Sequence, residues 1–188
     1  GVQTASEEAP AGAVLIEIHV PELHLLFNAI DPSPVLEKDL GANIEDFIVS
    51  WARAAGRDAE IALVIHVDRS SPLDSPSTIP EAIHEHFRQR SLSTQRKLSQ
   101  LFRVGRTSLA IGLLFLAVAV TLGGFVESKM KGSEIGVLIR ESMVIGGWVA
   151  MWRPLEIFLY DWWPIRAERQ LFDRLAKMPV QIALKRPT

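Results

Sequence analysis

The sequence contains no cysteine among its 188 residues. This absence excludes disulfide bonds, zinc sites built from cysteine, iron–sulfur clusters and catalysis by a thiol. The sequence also lacks a glycine-rich phosphate loop, and the histidines that follow Pro80 occur in the order Glu-Ala-Ile-His-Glu-His rather than HExxH. We therefore predict no catalytic residue, no metal ligand and no bound cofactor.

Charge is missing from one long stretch of the chain. Residues 107–126, TSLAIGLLFLAVAVTLGGFV, include no charged side chain. A helix of about twenty apolar residues matches the roughly 30 Å hydrocarbon core of a membrane. A second apolar segment fits two frames, 135–152 and 142–160, and one long tilted helix over both frames is also compatible with the sequence. The pattern predicts a transmembrane hairpin over residues 107–160.

Acidic and basic residues are segregated along the chain. Residues 1–86 carry fifteen acidic and four basic side chains, whereas residues 87–106 carry six basic side chains and no acid. Another basic group follows the second apolar segment, and the short loop at 127–134 is balanced. Because loops rich in Lys and Arg stay in the cytoplasm, both termini are predicted to be cytoplasmic.

Hydrophobic alternation predicts a small α/β domain before the hairpin. Residues 14–20 and 60–67 alternate as half-buried strands, and residues 43–55 show helical spacing, with Ile44, Phe47, Ile48 and Trp51 on one face. Residues 23–30 fit either a strand or a short helix. The overall prediction is an α+β membrane protein with a β-α-β cytoplasmic domain and linker (1–77), a basic juxtamembrane helix (78–106), the hairpin, and an amphipathic cytoplasmic tail (161–188).

Small and aromatic residues in the apolar segments suggest helix packing and membrane-interface positions. Glycine pairs let helix backbones approach closely, either within the hairpin or against another subunit. Tyrosine and tryptophan near a span end are typical of the interfacial aromatic belt, and arginine near an interface snorkels toward water. The candidate packing or partner residues are Gly123, Gly124, Gly146, Gly147, Trp148 and Trp152. The candidate interface residues are Arg103, Arg106, Arg153, Tyr160, Trp162 and Trp163.

Arg153 and Glu156 are three residues apart, so we expect them to form an ion pair on one helix face. The basic run at 88–106 is expected mainly to set topology, with recognition of a lipid head group or of an acidic partner left open. It lacks interleaved aromatic residues, so nucleic acid is not expected as a partner.

Histidine and carboxylate groups in the domain are the remaining chemical candidates. His19 and His66 occupy equivalent places on the two predicted strands, where Glu17, Glu60 and Asp31 are potential neighbours. We expect ordinary surface histidines there, because a metal site needs a third ligand that the spacing does not supply. The second group is expected to be a solvated helix start. It consists of Glu81, His84, Glu85 and His86.

The segments LFNAIDPSPVLEKDL, DFIVSWARAAG, AIHEHF and WRPLEIFLYDWWPIRAERQLFDRL together resemble an uncharacterised family of small bacterial two-span membrane proteins with a DPSP-containing N-terminal domain. The resemblance covers almost the whole chain and implies a bacterial inner-membrane location, but no activity and no residue role.

With this architecture, we expect a non-catalytic accessory or scaffold subunit of a larger complex, such as a respiratory or photosynthetic one. Its expected partners are the lipid bilayer and other membrane subunits. A membrane-tethered enzyme or ligand sensor and a homo-oligomeric channel or transporter remain alternatives.

Overall fold

A computed structural model describes residues 12–27, 40–68, 78–130 and 132–184. Its described part is mostly helical, with a three-stranded parallel sheet. The strands are β1 (Val14–Val20), β2 (Ile61–Val67) and β3 (Val180–Leu184), and the helices are α1 (Ala42–Ala54), α2 (Ile79–Lys129), α3 (Glu134–Glu156) and α4 (Trp162–Leu175). The predicted DPSP turn and most of the predicted linker at 68–77 lie outside the described residues.

The chain forms two compact units. The first contains the sheet, α1, the start of α2 and the C-terminal part of the chain, and its described residues belong to the ranges 1–93 and 167–188. The second comprises residues 94–166, which form the rest of α2, α3 and the first residues of α4.

The sheet of the first unit has the order β1-β2-β3, so β2 is the central strand. Val14 is paired with Ile61 and Val20 with Val67, as the alternation of both strands suggests. The outward exposure expected for Ala62 and Val64 is wrong, because both are buried. A central strand has neighbours on both sides, and these shield its short side chains even on the face away from the main core.

The core of the first unit lies on one face of the sheet. The inward residues of β1 and β2 pack there with apolar residues of α1, α2 and α4. The expected inner face of α1 is only partly correct: Ile48 is fully buried, whereas Phe47 and Trp51 are 40% and 51% exposed. The small side chain of Ala52 takes the inner position instead, which lets the helix approach the sheet closely.

Residues 23–30, whose sequence fits either a strand or a short helix, begin with a 3-10 helix, Leu23–Leu26. Leu23 and Leu26 are buried in the core, and Phe27 forms an isolated antiparallel bridge with Leu40. Residues 28–30 lie outside the described part of the chain.

In its described part, the amphipathic tail expected over residues 161–188 is helical only as far as Leu175. The helix ends there and, after a turn, β3 pairs in parallel with β2 from Leu63↔Val180 to Val67↔Leu184. Met178 is buried in the sheet core. The C-terminal segment therefore adds the third strand of the sheet. The backbone N–H and C=O groups on the second edge of β2 form hydrogen bonds with this strand.

Two helical stretches of the described chain are long and apolar enough to cross a membrane, and most of each lies in the second unit. They are Ile79–Lys129 and Glu134–Leu175. The second stretch is continuous through a π-helical turn, Ile157–Asp161, and so covers both frames considered from the sequence. Only 17% of the most apolar window of the first stretch and 11% of that of the second are buried. Core helices of soluble proteins are buried far more extensively.

Candidate functional site

The two long helices pack through small residues. The inward positions of α2 recur at alternating spacings of three and four residues, which is the pattern of an antiparallel helix pair with a left-handed twist. Three of these positions, each seven residues from the next, hold only a glycine or an alanine, and all three are buried. They are Gly105, Gly112 and Ala119.

Glycine contacts follow the hairpin from one end to the other. A Cβ atom at Gly123 would lie 3.3 Å from the Cα of Arg140, and one at Gly147 would lie 2.5 Å from Leu116 Cδ1. Towards the other end, a Cβ atom at Gly112 would lie 3.2 Å from the backbone oxygen of Ala150. As the position on α2 decreases, the position on α3 increases by a similar step, which defines an antiparallel register.

The hairpin contact extends to Gly105, where a Cβ atom would lie 2.8 Å from Ile157 Cγ2. Near the loop, a Cβ atom at Gly136 would lie 3.0 Å from Met130 Cβ. Gly105, Gly112 and Gly136 were not among the predicted packing residues. The regular spacing from Gly105 through Gly112 to Ala119 is the sequence signal that identifies the first two.

The four glycines predicted to pack divide into two classes. Gly123 and Gly147 lie in the hairpin contact, whereas a Cβ atom at Gly124 or Gly146 would have nothing within 4 Å. Each helix therefore turns one glycine of its pair inward and the other outward. Trp148 and Trp152, predicted with them, are 62% and 65% exposed.

Charged groups near the apolar part of the hairpin are paired at its two ends. Near the loop, Arg140 Nε lies 3.4 Å from Glu127 Oε2. At the other end, Arg153 lies 3.1 Å from Glu156 and 3.2 Å from Asp161. The predicted pairing of Arg153 with Glu156 is confirmed.

Aromatic residues cluster at the same end as Arg153. The Phe102 ring lies 6.2 Å from Phe158 and 6.3 Å from Trp162, so it connects α2 to the second helical stretch. The guanidinium of Arg166 lies over the Trp162 ring at 5.6 Å. Tyr160 and Trp163 are largely exposed. The residues predicted for a membrane interface thus include an aromatic group at one end of the hairpin.

In the first unit, the paired strands bring two histidines together. His19 and His66 are register partners, and their rings stack with centroids 4.5 Å apart. His66 Nε2 is buried without a hydrogen bond, and the nearest carboxylate oxygen, on Glu17, is 3.9 Å away. Stacked rings do not direct their nitrogens at one point, and the described residues include no group of three potential ligands that could hold a metal. Asp31 lies outside the described residues.

A buried polar network around Glu45 was not predicted from the sequence. Glu45 on α1 accepts hydrogen bonds from Arg90, at 2.6 Å from Nε, and lies 3.2 Å from His86 Nε2. The backbone N–H of Leu40 is directed at His86 Nδ1 over 3.4 Å. With Nδ1 as acceptor, the hydrogen is on Nε2 and is donated to Glu45. This network connects α1 to α2.

The expected solvated helix start is wrong for both histidines of that group. His86 is only 6% exposed, and His84 Nε2 lies 2.7 Å from the backbone oxygen of Met178. Glu85 remains at the surface, where hydrogen bonds from Arg88 and then Gln89 lower the pKa of its carboxyl. The spacing Ile79, Ile83, His86, Phe87 identifies His86 as a core-facing position.

No known protein family, functionally described protein or solved structure matches this chain. The resemblance to two-span bacterial membrane proteins therefore stays a prediction. The fold and sites define an α/β domain combined with an apolar helical hairpin.

Proposed function

We propose that this chain is a non-catalytic accessory or scaffold subunit of a larger bacterial inner-membrane complex, anchored by the α2–α3 hairpin. Both termini and the α/β domain are cytoplasmic in this proposal. A respiratory or photosynthetic complex is a natural host for such a subunit. The bilayer and neighbouring membrane subunits are its partners.

One observation carries the proposal: the hairpin has small residues inside and large apolar residues outside. Glycine and alanine occupy the helix contact, whereas Leu114, Phe115 and Val149 are 67%, 52% and 68% exposed. In water, each exposed apolar Å² costs about 25 cal/mol relative to burial. In lipid this cost disappears, and close packing through small residues is the usual basis of helix association.

The charges support insertion with the loop on the far side. Arg96, Lys97, Arg103 and Arg106 lie toward the end opposite the loop, where positive side chains retain a segment in the cytoplasm. The ion pairs of Arg140 and Arg153 reduce the cost of charge near the hydrocarbon boundary. Because these charges pair with each other, they favour an anchor over an ion path.

An accessory role follows from what two helices can do. A single hairpin does not enclose a pore, and its outward surface combines Gly124 and Gly146 with the exposed indoles of Trp148 and Trp152. Small residues allow another transmembrane helix to approach closely, and exposed indoles offer large side chains for contact with it. The lipid-facing surface thus has a place for a second subunit.

Membrane insertion is testable with single cysteines, because the natural chain has none. Ser99→Cys and Ser128→Cys introduce thiols at exposed positions near opposite ends of the hairpin. In intact cells, a membrane-impermeant maleimide should label the second variant only. Labelling of the first variant, or release of the protein by alkaline carbonate, would contradict the proposal.

A tethered enzyme or ligand sensor is the second candidate, favoured by the stacked His19–His66 pair and its unbonded His66 nitrogen. Replacing both histidines by alanine would abolish a metal content or an activity while leaving membrane assembly intact. If the purified protein holds no metal and the double variant supports growth like the wild type, this candidate fails.

A further inference from the structure

The cations at the end of the hairpin opposite the loop fall into two classes. Arg153 is held by Glu156 and Asp161. The others have no carboxylate within salt-bridge distance in the part of the chain that the structure describes. These unpaired cations are Arg96, Lys97, Arg103, Arg106 and Arg166.

Within α2, the two arginines at the start of the basic run are both paired with carboxylates. Arg88 is bound by Glu85, and Arg90 by Glu45. The helix carries six cations over this basic run, and among the described residues the four nearest the apolar segment have no carboxylate partner. A cation without a carboxylate partner has its charge available to attract an anion.

Three of the unpaired cations, Arg103, Arg106 and Arg166, occur beside the aromatic group at this end. Arg103 and Arg106 flank Gly105, which packs against Ile157 of the opposite helix. Phe102, adjacent to Arg103, contacts the Trp162 ring. Tryptophan and tyrosine mark the head-group level of a bilayer, so the guanidinium groups next to them are at the level of lipid phosphates.

We propose that Arg96, Lys97, Arg103 and Arg106 form a binding surface for the phosphate groups of anionic phospholipids, which we term the phosphate collar. Guanidinium groups bind phosphate oxygens through paired, charge-assisted hydrogen bonds. Arg166, stacked on Trp162, adds a fifth cation to the same end. The proposal rests on the membrane hairpin proposed above and adds the chemical class of its lipid ligand.

The test uses the full-length chain in a non-ionic detergent. Native mass spectrometry measures binding of phosphatidylglycerol and of phosphatidylcholine with the same acyl chains. The wild type should prefer phosphatidylglycerol. Each cation near an anionic surface is worth about a fivefold change in affinity, so Arg103→Gln combined with Arg106→Gln should reduce the preference by at least about tenfold.

Two single variants serve as controls. Arg88→Gln removes a cation of the same helix that is already paired with Glu85. Lys129→Gln removes one at the loop end, where it lies over the Phe125 ring at 5.6 Å. Both should retain the preference of the wild type. If the double variant unfolds, Arg96→Gln combined with Lys97→Gln tests the same surface without changing the residues beside Gly105.

Equal binding of the two lipids by the wild type would overturn the phosphate collar, as would equal losses in the control variants. Co-purification of an acidic protein that depends on Arg103 and Arg106, without a lipid preference, would also overturn it in favour of a protein ligand. Resistance to carbonate extraction separates these results from failure of the membrane proposal. A protein that carbonate releases contradicts the hairpin anchor itself.

Discussion

Gly147 lies so close to Leu116 that a Cβ atom there would come within 2.5 Å of Leu116 Cδ1 and 3.3 Å of its Cα. At the adjacent Gly146, the same atom would meet open space. Substitutions at these two neighbouring glycines can therefore distinguish packing inside the hairpin from a role of its outer surface.

Leucine at these two positions should have opposite effects on stability. Gly147→Leu forces extra volume into the helix contact and should lower the free energy of unfolding by about 1–3 kcal/mol. Gly146→Leu should leave it unchanged or raise it, because leucine is the better helix former by roughly 0.8 kcal/mol. Thermal unfolding in detergent, followed by circular dichroism, measures both. Equal destabilisation would show that the described helix register is incorrect.

The outward glycines are expected to affect association rather than folding. Gly124→Leu and Gly146→Leu add large side chains to the outward surface of the hairpin and should reduce recovery of the proposed partner subunits from native membranes by several-fold. Val149→Leu, at a position 68% exposed, is the control for added apolar volume. Unchanged recovery in both glycine variants would place the partner surface elsewhere on the chain.

The buried Glu45 network should be important for the stability of the α/β domain. Glu45→Gln leaves the buried His86 and the half-exposed Arg90 without their carboxylate, and we expect a loss of about 1–3 kcal/mol. Asp46→Asn changes a neighbouring exposed carboxylate and should have little effect. Chemical denaturation measures the free energy of unfolding of both variants. Similar values would contradict a stabilising role for the Glu45 network.

The surface pair of Glu85 and Arg88 gives a prediction in the acid range. Because hydrogen bonds from Arg88 and Gln89 lower the pKa of the Glu85 carboxyl below its ordinary value, ionised Glu85 stabilises the folded domain above the pH range in which a free carboxyl titrates. This contribution is lost as the pH falls through the lowered folded-state pKa. The difference in melting temperature between wild type and Glu85→Gln should therefore be small and favourable at pH 7 and absent at strongly acidic pH. A difference that grows on acidification would contradict the assigned hydrogen bonds.

The C-terminal segment should be part of the domain core. Leu175 is fully buried against the sheet, so Leu175→Ala is expected to cost about 2–5 kcal/mol. Lys177→Ala, two residues later at an exposed position, should cost little. Protease resistance of the domain in the two variants provides the measurement. A similar resistance would indicate a tail that is independent of the domain.

Local periodicity predicted much of the fold. The alternation of β1 and β2 and the helical spacing of residues 43–55 identified three elements because each pattern is contained within a short segment. The strand β3 was missed because residues 180–184 follow a helix, and their partner β2 is more than a hundred residues away in the sequence. The short alternation of Val180, Ile182 and Leu184 fits a strand, but nothing local indicates its pairing with β2.

The candidate sites were predictable to different degrees for similar reasons. The interface aromatics and the Arg153–Glu156 pair follow from local spacing. The buried position of His86 opposite Glu45 depends on how two helices approach each other. The hydrophobic pattern of α1 predicted an inner face that includes Phe47 and Trp51. These large side chains are exposed, whereas the small Ala52 is buried. Close packing against a sheet selects for shape, which hydrophobicity alone does not encode.

The central claim is that this chain is anchored in the membrane as a subunit of a larger complex. The most direct measurement is gentle detergent extraction from native membranes, size separation under native conditions, and mass spectrometry of everything that migrates with the chain. The account predicts stoichiometric migration with other membrane subunits. Migration of the chain alone, or as an assembly of identical copies, would contradict it.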